Sequence, residues 1–432
     1  MNPLVCAIAM GYGHLRPAHA LSQLIGEPYL EVDRPPLAGA DEQKLWARTR
    51  TLYEGLTRLS QTPYAGGPLR YILDGITAIP HLHPYRDLSA PTGGAQTLRW
   101  LAQKHGLGQG TIEHLRATGK PLLTTFFAPA IIADLAGLDE VYCVVTDSDV
   151  NRIWAPLDAA STKIRYFAPS QRVVRRLQAY GVPASRIEYS GFPLPHALLG
   201  GPELPVARRN LAARLVRLDP SKAFRSTFRE EISQFLRAPL PAEAEGQAPR
   251  VTFAVGGAGA QQEIARRFLP SMAPILREGR MKLTLVAGVR PEVKERFDRW
   301  IEQADLEPGK HVDVLFEAEV NTYFEAFNRL LATTDVLWTK PSEITFFAAL
   351  GLPMVFSWPV GVHEQYNRRW AIEAGAGVKQ RDPRFAAEWL ADHLADGTLA
   401  AAAWSGFMRL PKFGLYQVLE RFGVRAEAQS AA

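Results

Sequence analysis

Short apolar runs alternate along the chain with longer segments in which apolar residues recur at helical spacing. Short buried runs are typical of strands in a parallel sheet, and the longer segments are typical of the helices that cover it. Strands are predicted at residues 4–10, 29–33, 120–125, 141–145, 164–168, 186–190, 251–255, 283–287, 312–316, 336–338 and 354–358. The alternation predicts an α/β chain with doubly wound parallel sheets.

Two of the predicted strands lead directly into a glycine-rich turn and then a helix. The first turn is Gly11-Tyr12-Gly13-His14, before a helix predicted over residues 17–25, and the second is GGAGA at residues 256–260. Small residues at a helix start let an anion reach backbone N–H groups, where the helix dipole adds about 0.3–1 kcal/mol. Each turn therefore predicts a phosphate site. His14 has two interpretations, either a structural residue of the turn or a general base or phosphate partner.

Polar loops follow three other predicted strands. Residues 339–343, TKPSE, precede an apolar helix predicted over 344–350, and residues 361–367 form a second polar loop. A third loop, Thr146-Asp147-Ser148-Asp149, follows the predicted strand at 141–145. Because ligands bind outside the carboxyl ends of strands in an open parallel sheet, all three loops are candidate site segments.

Composition indicates two globular domains with a mild basic excess. The chain has 432 residues, 47% hydrophobic and 22% charged, with a net charge of +5 and a pI of about 9.1. This charge favours anionic partners in general, and no nucleic-acid partner is expected. Cys6 and Cys143 lie in apolar runs without a CxxC motif, so we expect core residues in a reducing, cytoplasmic protein and no disulfide or metal site. The apolar start is interpreted as a strand and not a signal peptide, and no membrane span is expected.

A segment from Asp41 to Leu88 mixes aromatic residues and arginines at roughly helical spacing. The more favoured interpretation is a helix stripe facing the core. The alternative is a surface that contacts anionic lipid or an apolar acceptor, with Arg48, Arg50 and Arg58 as its cations. His81-Leu82-His83 has no acid or cysteine partner at ligand spacing, which disfavours a metal site.

These motifs, taken in order, resemble the GT-B glycosyltransferases, and most closely the branch of the monogalactosyldiacylglycerol synthases, the processive diacylglycerol glucosyltransferases and MurG. Seven segments spread across nearly the whole chain are similar to that branch's motifs. They are GYGHLRPAHAL, VVTDSDVNRIWAP, SGFP, FAVGGAGA, TKPSEIT, VGVHEQYN and AWSGFMRLPKFGLY. Asn151 stands where the glycolipid synthases often carry histidine.

The resemblance implies two Rossmann-like domains facing a central cleft, at residues 1–199 and 200–409, with a tail helix at 410–432 crossing back to the first domain. It implies a nucleotide-sugar donor, an inverting transfer without a metal or cofactor, and an apolar or lipid acceptor at the inner membrane face. His14 and Asp147 are the implied catalytic residues. The implied donor-binding residues are Gly11, Gly13, Gly256, Gly257, Gly259, Ala260, Thr339, Lys340, Ser342, Glu343, His363, Glu364 and Asn367.

The donor loop departs from the family pattern. Ser342 and Glu343 replace a glycine pair, Phe346 occupies the position expected for a ribose-binding glutamate, and the stretch before Gly351 is about two residues short. Either Glu343 binds the ribose from the loop, or the ribose contact is missing. The second case motivates an alternative, a non-catalytic binding protein on a GT-B scaffold. A UDP-sugar 2-epimerase, which shares the fold, is a further alternative. A dehydrogenase ranks last because Arg16 replaces the third glycine of the dinucleotide fingerprint.

Overall fold

The computed structural model describes residues 1–60, 78–236, 239–257 and 259–425, and for residues 50 and 52–60 it describes the backbone alone. These residues form two units. Among them, unit 1 contains Met1–Leu194, Gly361–Asn367 and residues 411–425, and unit 2 contains Pro195–Val360 and Arg368–Leu410. Much of the basic and aromatic segment considered above, residues 61–77, lies outside the described residues, as does the end of the predicted tail, 426–432. The predicted domain limits stay predictions.

Unit 1 is built on a six-stranded parallel sheet with the order β2-β1-β3-β4-β5-β6. Its strands are β1 (Leu4–Ala7), β2 (Leu30–Glu31), β3 (Leu122–Thr124), β4 (Val141–Val144), β5 (Arg165–Ala168) and β6 (Ile187–Tyr189). Its helices begin with α1 (Tyr12–Ile25), α2 (Ala40–Ser60), α3 (Gly93–His105), α4 (Gln109–Thr118), α5 (Phe127–Leu135) and α6 (Gln171–Ala179). The 3₁₀ helices Arg152–Trp154 and Ala184–Arg186 also belong to this unit.

Unit 2 is built on a second six-stranded parallel sheet with the order β12-β11-β10-β7-β8-β9. Its strands are β7 (Arg250–Ala254), β8 (Lys282–Gly288), β9 (Val312–Phe316), β10 (Val336–Thr339), β11 (Met354–Phe356) and β12 (Gly377–Lys379). The helices up to β10 are α7 (His196–Leu199), α8 (Pro205–Arg217), α9 (Ala223–Thr227), α10 (Arg229–Leu236), α11 (Glu263–Arg277), α12 (Pro291–Gln303) and α13 (Val320–Thr333). The later helices are α14 (Val362–Glu373), α15 (Ala386–Ala395), α16 (Thr398–Arg409) and α17 (Gly414–Glu420). Helix α17 and residues 362–367 at the start of α14 belong to unit 1. The 3₁₀ helices are Ala242–Ala244, Glu343–Leu350 and Pro383–Phe385.

The core of unit 1 confirms the interpretation of several apolar positions. Cys6 and Cys143 are fully buried free thiols on β1 and β4, and burial raises the pKa of both. Trp46 on α2 packs in the same core with 3% of its surface exposed, as the core-facing interpretation of that helix predicted. Its indole N–H donates to Glu42, which also accepts from the backbone N–H groups of Gly108 and Gly110 at the start of α4.

Three predicted elements differ from the structure near the candidate site. Helix α1 begins at Tyr12 and not at residue 17, so Gly13 and His14 lie in its first turn and Pro17 lies inside it. The segment predicted as a polar loop at 361–367 is the start of α14, because no glycine or proline interrupts residues 362–373 and Glu364 in the first turn complements the helix dipole. The apolar helix after the TKPSE loop is 3₁₀, and Gly351 ends it in the left-handed conformation at φ 67°.

Candidate functional site

Each sheet reverses its strand order at a point where the candidate residues gather. In unit 1 the reversal lies between β1 and β3, as in flavodoxin-like sheets, and in unit 2 between β7 and β10, as in Rossmann sheets. Ligands of such sheets bind outside the carboxyl ends of strands at this switch point. The chain therefore has two candidate site regions, one in each unit.

His14 lies at the switch point of unit 1. Gly11, with φ 106°, turns the chain from β1 into α1 and brings His14 toward the end of β3. The His14 Nδ1 lies 2.8 Å from the carbonyl oxygen of Thr125 and 3.3 Å from the hydroxyl of Thr146. The Thr125 hydroxyl in turn donates to the His14 carbonyl at 2.8 Å. The imidazole is thus bonded to the segments that follow β3 and β4.

These contacts decide which nitrogen of His14 carries the proton. A carbonyl oxygen can only accept a hydrogen bond, so Nδ1 must be the protonated nitrogen. In the neutral ring, Nε2 is then the nitrogen that can accept a proton. The ring packs edge-on against Phe126, with centroids 4.8 Å apart, and lies 6.5 Å from Trp154. Aromatic packing and two hydrogen bonds fix the orientation of the ring.

Asp147 lies in the loop after β4, directly after Thr146, whose hydroxyl contacts His14. One of its carboxylate oxygens, Oδ1, accepts a hydrogen bond from Asn367 Nδ2 at 3.0 Å. Asn367 Oδ1 accepts from the backbone N–H of Ser148 at 2.8 Å. Asp147 is half-buried, whereas Ser148 and Asn367 are buried. The structure thus brings together Asp147 and Asn367, which are 220 residues apart in the sequence. His14 contacts the same loop through Thr146.

The other acid of this loop, Asp149, has a structural role. It is fully buried and pairs with Arg176 Nε at 2.8 Å and with Arg172 Nε at 2.5 Å. Burial alone would lower the pKa of Arg176, but the hydrogen bond and charge of Asp149 outweigh it, so that pKa is raised. The Arg172 guanidinium also lies 4.8 Å from the ring centroid of Tyr366. These ion pairs anchor the loop that carries Asp147.

In unit 2 the glycine turn after β7 lies next to a lysine that follows β10. A Cβ atom at position 256 would overlap Cε of Lys340 and lie 3.3 Å from its Nζ, so the lysine chain passes directly over Gly256. Only glycine permits this close approach. Thr339, the last residue of β10, donates its hydroxyl to the carbonyl of Ala254 at 3.0 Å and ties the two strand ends together. Gly257 and Ala260 complete the turn, and Gly259 adopts φ 70°.

A second cation lies at the same turn. Arg290 Nε donates to the carbonyl of Gly257 at 2.7 Å, and its Cδ would lie 3.4 Å from a Cβ at position 259. Arg290 immediately precedes α12, in the segment that follows β8. Arg290 is absent from the sequence motifs, although the rule that polar residues after parallel strands line a site selects it. Lys340 and Arg290 give the turn two positive charges in addition to its backbone N–H groups.

Gln261 joins this turn to the end of β11. It adopts φ 69°, its amide donates to the carbonyl of Trp358, and its carbonyl accepts from the hydroxyl of Ser357. The indole of Trp358 is 69% exposed and lies 5.8 Å from the Arg368 guanidinium. Gln261 is likewise absent from the sequence motifs, because its role depends on a contact with Ser357, 96 residues away.

The remaining donor-loop residues divide into surface and buried positions. Ser342 is half-buried and precedes the 3₁₀ helix, whose first residue Glu343 is 7% exposed. Phe346 is buried against Trp370 with ring centroids 5.1 Å apart, so the position where the family carries a ribose-binding glutamate is part of the core. On α14, Glu364 is 2% exposed and His363 is exposed.

Two further properties concern the described residues as a set. No helix among them is both long and apolar enough to cross a membrane. Within the same residues, no three histidine, cysteine or acidic side chains gather closely enough to hold a metal ion.

Comparison with known proteins gives one family match and several structural ones. Residues 292–418 match a family described as a domain of unknown function, DUF6938. No curated protein matches the chain. The structure is similar to MurG of Acinetobacter baumannii, with 12% identity, coverage of 98% of this chain and 99% of MurG, and a TM-score of 0.50. It is also similar to MnaA of S. aureus, solved with UDP (11% identity, 100% and 99% coverage, TM-score 0.48), and to the glycosyltransferase SnogD of Streptomyces nogalater (13%, 98% and 98%, TM-score 0.45).

The comparison with MurG confirms the predicted fold class. The chain is an α/β protein of the GT-B fold, with one six-stranded parallel sheet in each unit. At 12% identity the likeness establishes the fold alone. The catalytic and donor-binding roles of the candidate residues stay predictions.

Proposed function

We propose that the protein is an inverting glycosyltransferase that moves a sugar from a nucleotide sugar, a UDP-sugar, to a lipid or other apolar acceptor. The observation that carries the proposal is the passage of Lys340 over Gly256 at the Rossmann switch point of unit 2. A lysine against a glycine turn, with Arg290 on the same turn, favours a ligand with two adjacent negative groups, such as a nucleoside diphosphate.

In this proposal unit 2 binds the donor and stabilises the leaving group. The N–H groups around Gly257, Gly259 and Ala260 donate to the diphosphate, and each charged hydrogen bond contributes about 1.5–3 kcal/mol. Lys340 and Arg290 balance the charge that develops on the departing diphosphate. Thr339, Ser342 and Glu343 line the donor pocket, and Glu343 or a neighbour replaces the ribose contact that Phe346 cannot make.

Unit 1 supplies the proton acceptor. His14 Nε2 takes the proton of the acceptor hydroxyl as that oxygen attacks the anomeric carbon, while Asp147 orients the hydroxyl. The bond to the leaving diphosphate breaks on the opposite face, which inverts the configuration. No metal or cofactor is part of this scheme. The lipid acceptor and a peripheral place at the inner membrane face rest on the resemblance to the glycolipid synthases.

The first experiment measures thermal stabilisation by UDP, GDP, dTDP, ADP and NAD. A ligand that binds the folded state raises the melting temperature by mass action, so we expect a shift with UDP. Gly256→Ala should reduce the shift, because the added methyl group displaces the flexible end of Lys340 without moving backbone. Gly39→Ala is the matched control, since a Cβ there meets no atom within 4 Å.

The second measurement is UDP release from UDP-glucose, UDP-galactose and UDP-N-acetylglucosamine, with and without diacylglycerol vesicles. Release that depends on the vesicles supports the transferase with a lipid acceptor. Consumption of the UDP-sugar without any acceptor supports the 2-epimerase. Stabilisation by UDP without turnover of any donor supports the non-catalytic binding protein. A shift with another nucleotide and none with UDP would overturn the donor assignment.

A further inference from the structure

Asn367 lies on α14, and its side chain is buried against the loop that carries Asp147. Its exposed fraction is 0%, although an amide side chain on the second turn of a helix is ordinarily solvated. Both ends of the amide are bonded within unit 1: Oδ1 to the backbone N–H of Ser148 at 2.8 Å, and Nδ2 to Asp147 Oδ1 at 3.0 Å. Two adjacent residues of one loop, Asp147 and Ser148, therefore hold the Asn367 side chain in place.

The chemistry of these neighbours fixes the orientation of the amide. The backbone N–H of Ser148 can only donate, so the atom facing it must be the amide oxygen. The amide nitrogen then faces Asp147, whose ionised carboxylate can only accept. The reversed amide would place two donors together and two acceptors together. Asn367 therefore presents a donor to one specific oxygen of Asp147.

The rest of the loop is already fixed by other bonds. The carbonyl of Ser148 accepts from the Ser170 hydroxyl at 2.8 Å, and Asp149 pairs with Arg172 and Arg176. The Asp147 side chain can still rotate about its own bonds. It is half-buried, so a ligand can reach it. The bond from Asn367 occupies Oδ1 and sets the direction of Oδ2.

We propose that Asn367 is a positioning residue that directs Oδ2 of Asp147 toward the acceptor hydroxyl. This inference rests on the proposed function. It assigns Asn367 to the acceptor side of the reaction, whereas the resemblance places it near the donor sugar. Asn367 itself touches neither the sugar nor the reacting atoms; Asp147 accepts the hydrogen bond of the hydroxyl, and His14 takes the proton.

The test is an exchange of the two side chains. Asn367→Asp removes the donor and sets a carboxylate against Asp147, while Asp147→Asn removes the carboxylate that meets the hydroxyl. Each single variant should lower kcat about 100-fold, the scale of a misplaced reacting group. The double variant restores a hydrogen bond of reversed polarity, so its melting temperature should return toward that of the unaltered protein. Its kcat should stay low, because the carboxylate now lies at position 367.

Measurements of donor binding distinguish a positioning role of Asn367 from a direct contact between Asn367 and the donor sugar. The KM for the UDP-sugar and the melting-temperature shift with UDP should be unchanged in all three variants. Gln96→Glu, an equal change in charge at an exposed position of α3 in the same unit, is the control and should keep full turnover. Turnover is measured as UDP release in the presence of diacylglycerol vesicles.

Two results would overturn the inference while leaving the proposed function intact. Recovery of both stability and turnover in the double variant would make the pair purely structural. A raised KM for the UDP-sugar in Asn367→Asp, with an unchanged shift for UDP, would make Asn367 a donor-sugar contact. Absence of UDP release by the unaltered protein with every donor is a different result, because it removes the proposed function and this role with it.

Discussion

The two nitrogens of the His14 imidazole have different tasks. Nδ1 donates to the Thr125 carbonyl, so only Nε2 can take a proton from a substrate. An asparagine can replace the hydrogen bond of Nδ1, because its amide nitrogen is the same number of bonds from Cα, but it cannot accept a proton at neutral pH. The substitution His14→Asn therefore separates a chemical role from a structural one.

His14→Asn should lower turnover about 100-fold or more if Nε2 is the general base. The melting-temperature shift with UDP should then be unchanged, because a base does not hold the diphosphate. Loss of that shift would instead identify His14 as the phosphate partner. The control His105→Asn changes an exposed histidine of the same unit and should leave both measurements unchanged. Normal turnover in His14→Asn would make His14 a structural residue.

Residues of the site could be predicted from sequence where one local pattern specifies them. Gly256, Gly257 and Lys340 follow strands that are evident in the sequence, and the structure places all three at one switch point. Arg290 and Gln261 also follow or precede regular elements, but their importance comes from contacts with Gly257 and Ser357. Contacts of this kind depend on strand order, which a single sequence does not specify.

Arg214 is the side chain on which several element ends in unit 2 converge. It is 2% exposed on α8, and its guanidinium donates to the carbonyls of Thr334 at 2.9 Å, Leu350 at 3.2 Å and Gly351 at 2.8 Å. These carbonyls end α13 and the 3₁₀ helix after the TKPSE loop, where no further turn can satisfy them. Burial lowers the pKa of Arg214 to about 10, still well above neutral pH.

Arg214→Met keeps the aliphatic stem and removes the donors, leaving buried carbonyls unpaired. An unsatisfied buried polar group costs about 1–3 kcal/mol, so we expect a loss of about 3 kcal/mol in the free energy of unfolding, measured by urea titration. Arg209→Met, at an exposed position of the same helix, is the control and should change the free energy of unfolding by less than about 0.5 kcal/mol. Equal effects of the two variants would contradict the role of Arg214.

The sequence predicts secondary-structure elements well where a short apolar run is bounded by turn residues. It predicts the start of a helix poorly where no residue of the sequence marks that start. Strand β9 has the bounds that the sequence predicts. The start of α14 was mistaken for a loop because polar residues fill its first two turns. The 3₁₀ form of residues 343–350 was also missed, since an apolar run has the same pattern in either helix type.

At the scale of the whole molecule, the alternation of strands and helices predicts parallel sheets but not their order. The two sheets differ: flavodoxin-like in unit 1 and Rossmann-like in unit 2. The switch point therefore lies between β1 and β3 in unit 1 and between β7 and β10 in unit 2. In each unit the residues selected by sequence motifs follow strands at or next to this point. The motifs therefore locate the two site regions but do not identify every residue that contacts them.

Two buried histidines of unit 2 make stability depend on pH. Burial lowers the pKa of His196 and of His393 from the ordinary value of 6.5. For His393, Arg381 adds to the decrease, while Asp396 and Asp392 oppose it. Its Nδ1 is buried without a hydrogen-bond partner among the described residues. Both residues fold as neutral imidazoles, so the unfolded chain binds more protons than the folded one just below pH 6.5.

We therefore expect the free energy of unfolding to fall as the pH drops from 7.5 to 5.5, because stability rises with pH wherever the unfolded state binds more protons. Urea titrations at the two pH values measure the difference. In His393→Leu, a buried apolar side chain of similar size replaces the titrating group, so the drop between the two pH values should shrink. His105→Leu, at an exposed position, should leave the drop unchanged. A drop of the same size in His393→Leu as in the unaltered protein would show that His393 ionises equally in both states, and its burial would then carry no pH dependence.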